Sequence, residues 1–242
     1  METAKKTVWI AHRGAHLTHP ENSLKAFLEA KDLGFDCIET DLRTTNDGTV
    51  VLHHDPDLLR SFGVRGVVEQ MTYKRLATFY MKDGQRLMTL EELLTALPSH
   101  SFIFDIKKES GARTIETLDK QNIVKSLEGR LRLLFWDKSH ARAAKKAWPK
   151  QEILANQTEC YIAALRCLSH LPGPFAKAGK TYSLPPTFMG TNLFRQKLVA
   201  RYHAHKGRLI AYLPQGKQEI HAALAAGFDE ILSDGWIVTS DS

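Results

Sequence analysis

Four short stretches of this 242-residue chain end in side chains that ionise or hold ions. Residues 7–12 (TVWIAH) run into His12 and Arg13, and residues 37–42 (CIETDL) carry Glu39 and Asp41 two positions apart. Residues 49–53 lead into His54 and Asp55, and residues 102–107 (FIFDIK) carry Asp105 and Lys107, again two apart. Side chains alternate faces along an extended strand, so each such pair shares a face. A carboxylate at a strand end is ordinarily a cap or a solvated terminus. Glu39 and Asp41 instead share a face expected to point inward, where an unpaired carboxylate is costly. Together with a third carboxylate, Asp105 from the next strand, they suit a hard divalent cation, Mg²⁺ or Ca²⁺, which prefers oxygen ligands. Zinc fits less well, because no His or Cys stands at ligand spacing with them. His12 and His54 flanking an acidic triad read as a general acid and a general base. Arg13 and Lys107 supply cations that hold phosphate oxygens. On these residues alone the chemistry is metal-assisted hydrolysis of a phosphate ester.

The elements that must position these groups alternate along the chain. Strands are expected at residues 7–12, 37–42, 102–107, 131–136, 152–155, 181–184, 208–213 and 230–233. Helices are expected at 22–33, from the Thr89-x-x-Glu92 capping box through residue 97, and at 112–127, 140–148, 159–168, 193–205 and 218–226. An Asn46-Asp47-Gly48 turn with a strand over 49–53 reads as a hairpin extension of the second strand. Without that extension there are eight strands, seven of them followed by a helix. Eight βα units over about 250 residues is the arithmetic of a (β/α)₈ TIM barrel, whose reacting groups sit at the C-terminal ends of the strands. A doubly wound sheet also alternates, but no G-x-G-x-x-G follows the first strand. Residues 56–88 are less regular and read as an insertion after the second strand. No linker or composition shift divides the chain, so one domain over residues 1–242 is expected.

Composition narrows the class. With 43% hydrophobic and 25% charged residues the chain is neither fibrous nor disordered. No apolar run approaches the roughly 20 residues of a membrane span. Residues 1–6 lead into no apolar segment with a cleavage site, so no signal peptide is expected. Three cysteines, Cys37, Cys160 and Cys167, give neither a disulfide framework nor a zinc pattern, which fits a cytoplasmic protein. The net charge of +6 is spread along the chain, densest at Arg142, Lys145, Lys146 and Lys150 on one expected helix and its exit. No stacking aromatics are interleaved there, so nucleic acid is not the expected partner. A modest positive field does suit an anionic small substrate.

His12-Arg13-Gly14-Ala15, then Pro20-Glu21-Asn22-Ser23 with Ala26-Phe27, resembles the HRG and PEN(T/S) opening of the glycerophosphodiester phosphodiesterase family. The resemblance continues through Ile38-Glu39-x-Asp41, Thr45-x-Asp47-Gly48 and Val51-Leu52-His53-His54-Asp55. It recurs in Met88-Thr89-Leu90-Glu91-Glu92-Leu93 and closes with Gly227-Phe228-Asp229-x-Ile231-Leu232-Ser233-Asp234. Between residues 110 and 205 only the pattern of elements matches.

The resemblance implies a TIM barrel with residues 56–88 as the family's insertion. It implies Glu39, Asp41 and Asp105 as metal ligands, His12 and His54 as the acid–base pair, and Arg13 and Lys107 as phosphate contacts. The implied substrate is a small phosphodiester. Its glycerol 2-hydroxyl attacks the phosphorus, and the cyclic phosphate is opened by water to give glycerol 3-phosphate and an alcohol. Several positions depart from the family. Its E-I-K run is here Asp105-Ile106-Lys107, a shorter carboxylate that the sphingomyelinase D branch also uses, though that branch lacks the PEN signature. Tyr212 falls where the family carries a substrate-facing Trp, His53 adds an imidazole before His54, and few residues follow Asp234 to form an eighth helix. Two other readings remain open at this point: a lysophospholipase D-like enzyme using the apolar residues of the insertion, and a non-catalytic phosphodiester-binding relative. Oligomeric state is not legible.

Overall fold

The computed structural model describes residues 7–169 and 174–238. The expectation for residues 1–6 lies outside the described residues. The chain divides into two compact units, residues 11–153 and residues 1–10 with 154–242. Strand β1 (Val8–His12) crosses the boundary between them in sequence.

In the unit of residues 11–153, β2 (Cys37–Thr44) is buried at every position. Strand β3 (Val50–Leu52) folds back antiparallel on β2, the expected hairpin. Strands β4 (Ser101–Ile106), β5 (Leu131–Phe135) and β6 (Glu152–Ile153) follow as parallel neighbours, β2 to β4 to β5 to β6. The register pairs Asp41 with Asp105 and Glu39 with Ile103, so the acids in the middle of β2 lie beside the acidic end of β4. Near-continuous apolar runs such as FIF in β4 are what parallel strands covered on both faces require.

The helices of this unit are set by local signals. Helix α1 (Leu24–Asp32) starts two residues later than expected, because Ser23 is its N-cap and Asn22 takes a left-handed φ of 54°. The insertion holds α2 (Leu59–Phe62), a 3₁₀ turn (Val68–Gln70) and α3 (Tyr73–Leu76). Helix α4 (Leu90–Ala96) opens with the expected Thr89–Glu92 capping box. The helix expected over 112–127 is two helices, α5 (Gly111–Lys120) and α6 (Ile123–Ser126), because Asn122 is left-handed at φ 55° and breaks the run. Helix α7 (Lys138–Ala147) follows β5, capped by Asp137.

The insertion builds its own small core. Leu58, Val68, Leu76 and Leu87 are fully or almost fully buried with Val51 of β3, and Phe62, Val64, Met71, Tyr73 and Phe79 pack on them half-buried. Met81 is buried and Val67 half-buried, while Leu59 and Tyr80 stand exposed. The insertion thus holds a satellite core, and its far end, from Tyr80 to Met88, lines a surface cavity of about 670 Å³ with Leu24 and Ala96.

In the other unit, helix α8 (Gln157–Leu168) precedes β7 (Thr181–Leu184), and a short hairpin of β8 (Thr187–Phe188) and β9 (Thr191–Asn192) follows it. That hairpin was not legible in the sequence. Helix α9 (Gln196–Ala204), strand β10 (Arg208–Tyr212), helix α10 (Gly216–Ala226) and strand β11 (Glu230–Ser233) complete it. Strand β10 is parallel to both β7 and β11, and Tyr212 ends it about two-fifths exposed.

Two consecutive left-handed residues, Arg13 at φ 55° and Gly14 at φ 83°, turn the chain sharply after β1. A Cβ on Gly14 would stand 2.7 Å from the carbonyl carbon of Ala26, so this position needs glycine for space as well as for φ. Ala15 N–H donates to Ala26 carbonyl at 2.9 Å and Asn22 N–H to Arg13 carbonyl at 2.9 Å, closing the loop on itself. Gly14→Ala should therefore cost roughly 2–3 kcal/mol in urea unfolding, and substrate affinity should fall with it as Arg13 loses its place. A stable, unchanged variant would show that the turn carries no such constraint.

Candidate active site

Three carboxylates at neighbouring strand ends form the centre. Glu39, Asp41 and Asp105 are all buried, and one oxygen from each lies within 4.8 Å of the others. Lys107 Nζ sits between two of them, 2.6 Å from Asp41 Oδ1 and 2.6 Å from Asp105 Oδ2. Arg13 Nε is 3.1 Å from Asp41 Oδ2. The sequence resemblance gave Lys107 and Arg13 to phosphate, and the structure places both first against carboxylates.

Neutral donors complete the cage. Asn22 Nδ2 donates to Asp41 Oδ2 at 2.8 Å, while Asn22 Oδ1 accepts from Thr40 Oγ1 at 2.7 Å. Trp136 Nε1 donates to Asp105 Oδ1 at 2.6 Å, and the Lys107 ammonium lies 5.6 Å from the centroid of the Trp136 ring. Arg13 N–H donates to the Glu39 carbonyl at 2.9 Å and to Glu39 Oε2 at 3.1 Å.

Electrostatics divide the three carboxylates. Burial pushes Asp41 up, but Lys107, Arg13 and His54 outweigh it and hold Asp41 well below the usual carboxylate range. Burial and the neighbouring Asp41 and Asp105 push Glu39 well above that range, with Arg13 and Lys107 only partly opposing them. Asp105 is raised by burial and by Asp41 against the pull of Lys107 and Trp136. Lys107 is raised despite burial, because Asp105 and Asp41 favour its charge. Glu39 is the carboxylate least compensated by this chain's own cations.

The two histidines differ. His12 is buried at the end of β1, and its ring lies edge-on to His16 with centroids 5.7 Å apart. His54 is partly exposed, and its Nδ1 is 2.8 Å from Asp55 Oδ1. A carboxylate acceptor there puts the ring proton on Nδ1 and leaves Nε2 with the lone pair. Arg43, buried on β2, donates twice to the His54 carbonyl, at 2.7 and 3.2 Å. It also pairs with Glu69 of the 3₁₀ turn at 2.7 Å and with Glu109 at 3.2 Å. A cavity of about 230 Å³ opens here, lined among others by Arg43, His54, Lys107 and Trp136. His53, by contrast, is buried away with Nε2 2.9 Å from the Asp57 carbonyl, and burial lowers its pKa.

The sequence reading missed Asn22, Arg43 and Trp136 as parts of the site. Arg43 had a signal, since it continues the face of Glu39 and Asp41 at the next i, i+2 step. Trp136 closes a strand-like run at the same end as the acids. Asn22 stood inside the PENS motif without a role.

This geometry can be set beside known proteins. A family model described as the glycerophosphoryl diester phosphodiesterase family matches residues 12–236. The chain belongs to that family. Membership places it among phosphoric diester hydrolases. A protein of Mycobacterium tuberculosis named "Probable glycerophosphodiester phosphodiesterase 2" is 40% identical over 115 residues, covering 47% of this chain and 44% of that protein, less than half of its length. A glycerophosphodiester phosphodiesterase of Caldanaerobacter subterraneus subsp. tengcongensis is 28% identical over 240 residues, 95% of this chain and 94% of that one. Among solved structures, a glycerophosphoryl diester phosphodiesterase domain from Mycobacterium tuberculosis superposes with a TM-score of 0.80 at 17% identity, covering 95% and 96% of the two chains. An Oleispira antarctica phosphodiesterase solved in complex with the product sn-glycerol-3-phosphate gives 0.75 at 20% identity, covering 94% and 93%. These likenesses show the fold, the (β/α)₈ class expected from the strand arithmetic.

Glu39 offers a test of this electrostatic picture within the family fold. Its folded pKa lies above its unfolded value near 4.5, so below that value both states are protonated and nothing is lost. Above it the unfolded state ionises first, and the folded state is penalised increasingly as pH rises. Glu39→Gln should therefore stabilise the metal-free protein at neutral pH by on the order of 1 kcal/mol, with the gain fading in acid. Added Mg²⁺ should raise the melting temperature of the parent more than that of the variant. A metal-free Glu39→Gln protein that melts lower at neutral pH would mean that Glu39 is fully compensated.

Proposed function

We propose that this protein hydrolyses glycerophosphodiesters to glycerol 3-phosphate and an alcohol, with His12 and His54 moving the protons and a divalent ion held by Glu39, Asp41 and Asp105. The observation that carries the reading is the buried triad of carboxylate oxygens within 4.8 Å, flanked by Arg13, Lys107 and His54. The complex of sn-glycerol-3-phosphate with the Oleispira antarctica phosphodiesterase, which shares this fold, supports the substrate class.

The residues present fit a hard cation. All three ligands are oxygen donors, and Glu39 is left short of positive charge. When bound there, a divalent ion would act as a Lewis acid, polarising the phosphate and lowering the pKa of the substrate hydroxyl. One histidine takes the proton of the glycerol 2-hydroxyl and the other gives a proton to the leaving alcohol. Asp55 fixes the His54 tautomer so that Nε2 can carry out such a transfer. Arg13 and Lys107 supply the positive charge that a phosphate entering this site meets. Both oxygens of Asp105 are engaged here, by Trp136 and Lys107. A site with one short and occupied ligand suits an ion that keeps water in its shell, so Mg²⁺ is preferred over Ca²⁺. Among the described residues no helix is long and apolar enough to cross a membrane. Three buried cysteine thiols suit a reducing compartment, and the cytoplasm is the proposed location. Most apolar residues of the insertion pack into its satellite core, which favours the glycerophosphodiester over an acylated substrate.

Turnover of glycerophosphocholine with Mg²⁺, Ca²⁺ or EDTA, and then of lysophosphatidylcholine, tests the reading directly. Activity on the first, abolished by EDTA, is the expected result. Hydrolysis of the acylated substrate alone would favour a lysophospholipase D, and no turnover of either would favour a binding relative. Within that assay His12→Ala and His54→Ala should each lose about 10²-fold or more in kcat, whereas His53→Ala should lose little beyond any change in stability. Equal losses at His53 and His54 would assign the wrong imidazole.

Asp105 is open to a separate check. Asp105→Glu keeps a carboxylate and should retain much of the activity, while Asp105→Asn and Asp105→Ala should lose both turnover and metal affinity by calorimetric titration. If Asp105→Ala matches the parent in both, the ion is held by two protein carboxylates.

A further inference from the structure

Arg60 lies in the insertion, on the four-residue helix α2, and nothing in the sequence marked it. Its guanidinium joins two carboxylates: Nε donates to Asp55 Oδ2 at 2.5 Å and Nη2 to Glu21 Oε1 at 2.5 Å. Each carboxylate has its other oxygen on a site residue. Asp55 Oδ1 holds His54 Nδ1 at 2.8 Å, and Glu21 Oε2 holds Arg13 Nη1 at 3.0 Å. From Asp55, which holds His54, the charges alternate through Arg60, Glu21 and Arg13 to Asp41.

An exposed arginine in a single ion pair contributes little. Arg60 is half-exposed, but its partners are sheltered, with Glu21 at 16% and Asp55 at 22% side-chain exposure. Its planar fork also fixes the angle between two acids from separate segments, which a point charge cannot do. Hydrogen bonds from Arg60 and His54 overcome partial burial and hold the Asp55 carboxyl down at about 2, so Asp55 stays an acceptor for the imidazole. Burial raises Glu21, yet Arg60 and Arg13 together bring it below its ordinary value.

We propose that Arg60 is a positioning residue of the active site, setting the His54 tautomer through Asp55 and the Arg13 side chain through Glu21. This rests on the proposed function for its catalytic consequence and on geometry for its structural one. Arg60 touches neither His54 nor Arg13 in these contacts, and it acts through the two carboxylates. Removing it leaves Asp55 and Glu21 without the cation between them, free to turn, and His54 free to exchange tautomers.

Two measurements decide it. Long-range ¹H–¹⁵N spectra of histidine-labelled protein read the His54 tautomer without any turnover. The parent should show Nδ1 protonated, and Arg60→Ala should show a mixture. In the glycerophosphocholine assay Arg60→Ala should lower kcat about tenfold, the scale of losing an outer partner of a functional histidine, and raise KM severalfold through Arg13. Arg60→Lys should recover only part of both losses. In an Asp55→Asn background, Arg60→Ala should change kcat by less than about twofold, because the path is already cut. An unchanged tautomer, or a kcat loss that is equal in both backgrounds, would overturn the proposal. A parent inert toward glycerophosphodiesters would overturn the proposed function instead, and the tautomer spectra would still judge Arg60.

Discussion

Bringing three carboxylates together under cover is the constraint around which the rest of this site is arranged. At an effective dielectric of ~20, two unit charges ~5 Å apart repel by about 3 kcal/mol, and burial adds a desolvation cost to each. The chain meets this with a limited set of partners. Lys107 is shared between Asp41 and Asp105, Arg13 and Asn22 both attend Asp41, and the Trp136 indole takes the last oxygen of Asp105. Almost every one of these partners sits on Asp41 or Asp105. Among the described residues, the Glu39 carboxylate receives a backbone amide, from Arg13, and no side-chain donor. The unevenness explains why neighbouring acids on one strand are pushed in opposite directions.

The insertion belongs to this arrangement as well. Its small core of Leu58, Val68, Leu76 and Leu87 fixes the backbone that carries Arg60 and Glu69. Glu69 anchors the buried Arg43, and Arg43 grips the carbonyl of His54 from below. Packing in a segment that touches no expected substrate group thus bears on where the second histidine stands. In the same way the close approach of Gly14 to Ala26 fixes where Arg13 begins.

The parts of this site that were legible in the sequence are those governed by periodicity. Residues 39, 41 and 105 could be placed on shared faces at strand ends because a strand alternates, and the structure brings all three within ligand distance. The hairpin after β2 and the capping box of α4 followed from turn and cap chemistry at adjacent residues. What escaped depends on contacts between distant segments or on a single backbone angle. Asn22 serves Asp41 across 19 residues and Arg60 reaches Glu21 across 39, with no periodic signal for either. The break between α5 and α6 turns on the left-handed φ of Asn122, which a helical pattern of side chains does not reveal. The β8–β9 hairpin is only two residues per strand, too short for alternation to show.

Charge balance supports the proposal that this site holds a metal. The chain as a whole carries +6, which would draw an anion toward it from a distance. Locally the sign reverses. Glu39, Asp41, Asp105, Glu21 and Asp55 bring five carboxylates into one connected network, and Arg13, Lys107 and Arg60 bring three cations. With all five carboxylates ionised, the three cations leave the network two positive charges short before any charge on His54 is counted. A phosphodiester arriving in that network would add a further negative charge to a centre already in deficit, and Arg13 and Lys107 could turn to the phosphate only by abandoning Asp41 and Asp105. A divalent cation held by Glu39, Asp41 and Asp105, as proposed, would supply the missing charge and would compete with Lys107 and Arg13 for their carboxylates. If the proposed ion binds, it and the two basic residues would not contribute independently to phosphate binding, because Arg13 and Lys107 would become available to the substrate only to the extent that the ion took over their present partners.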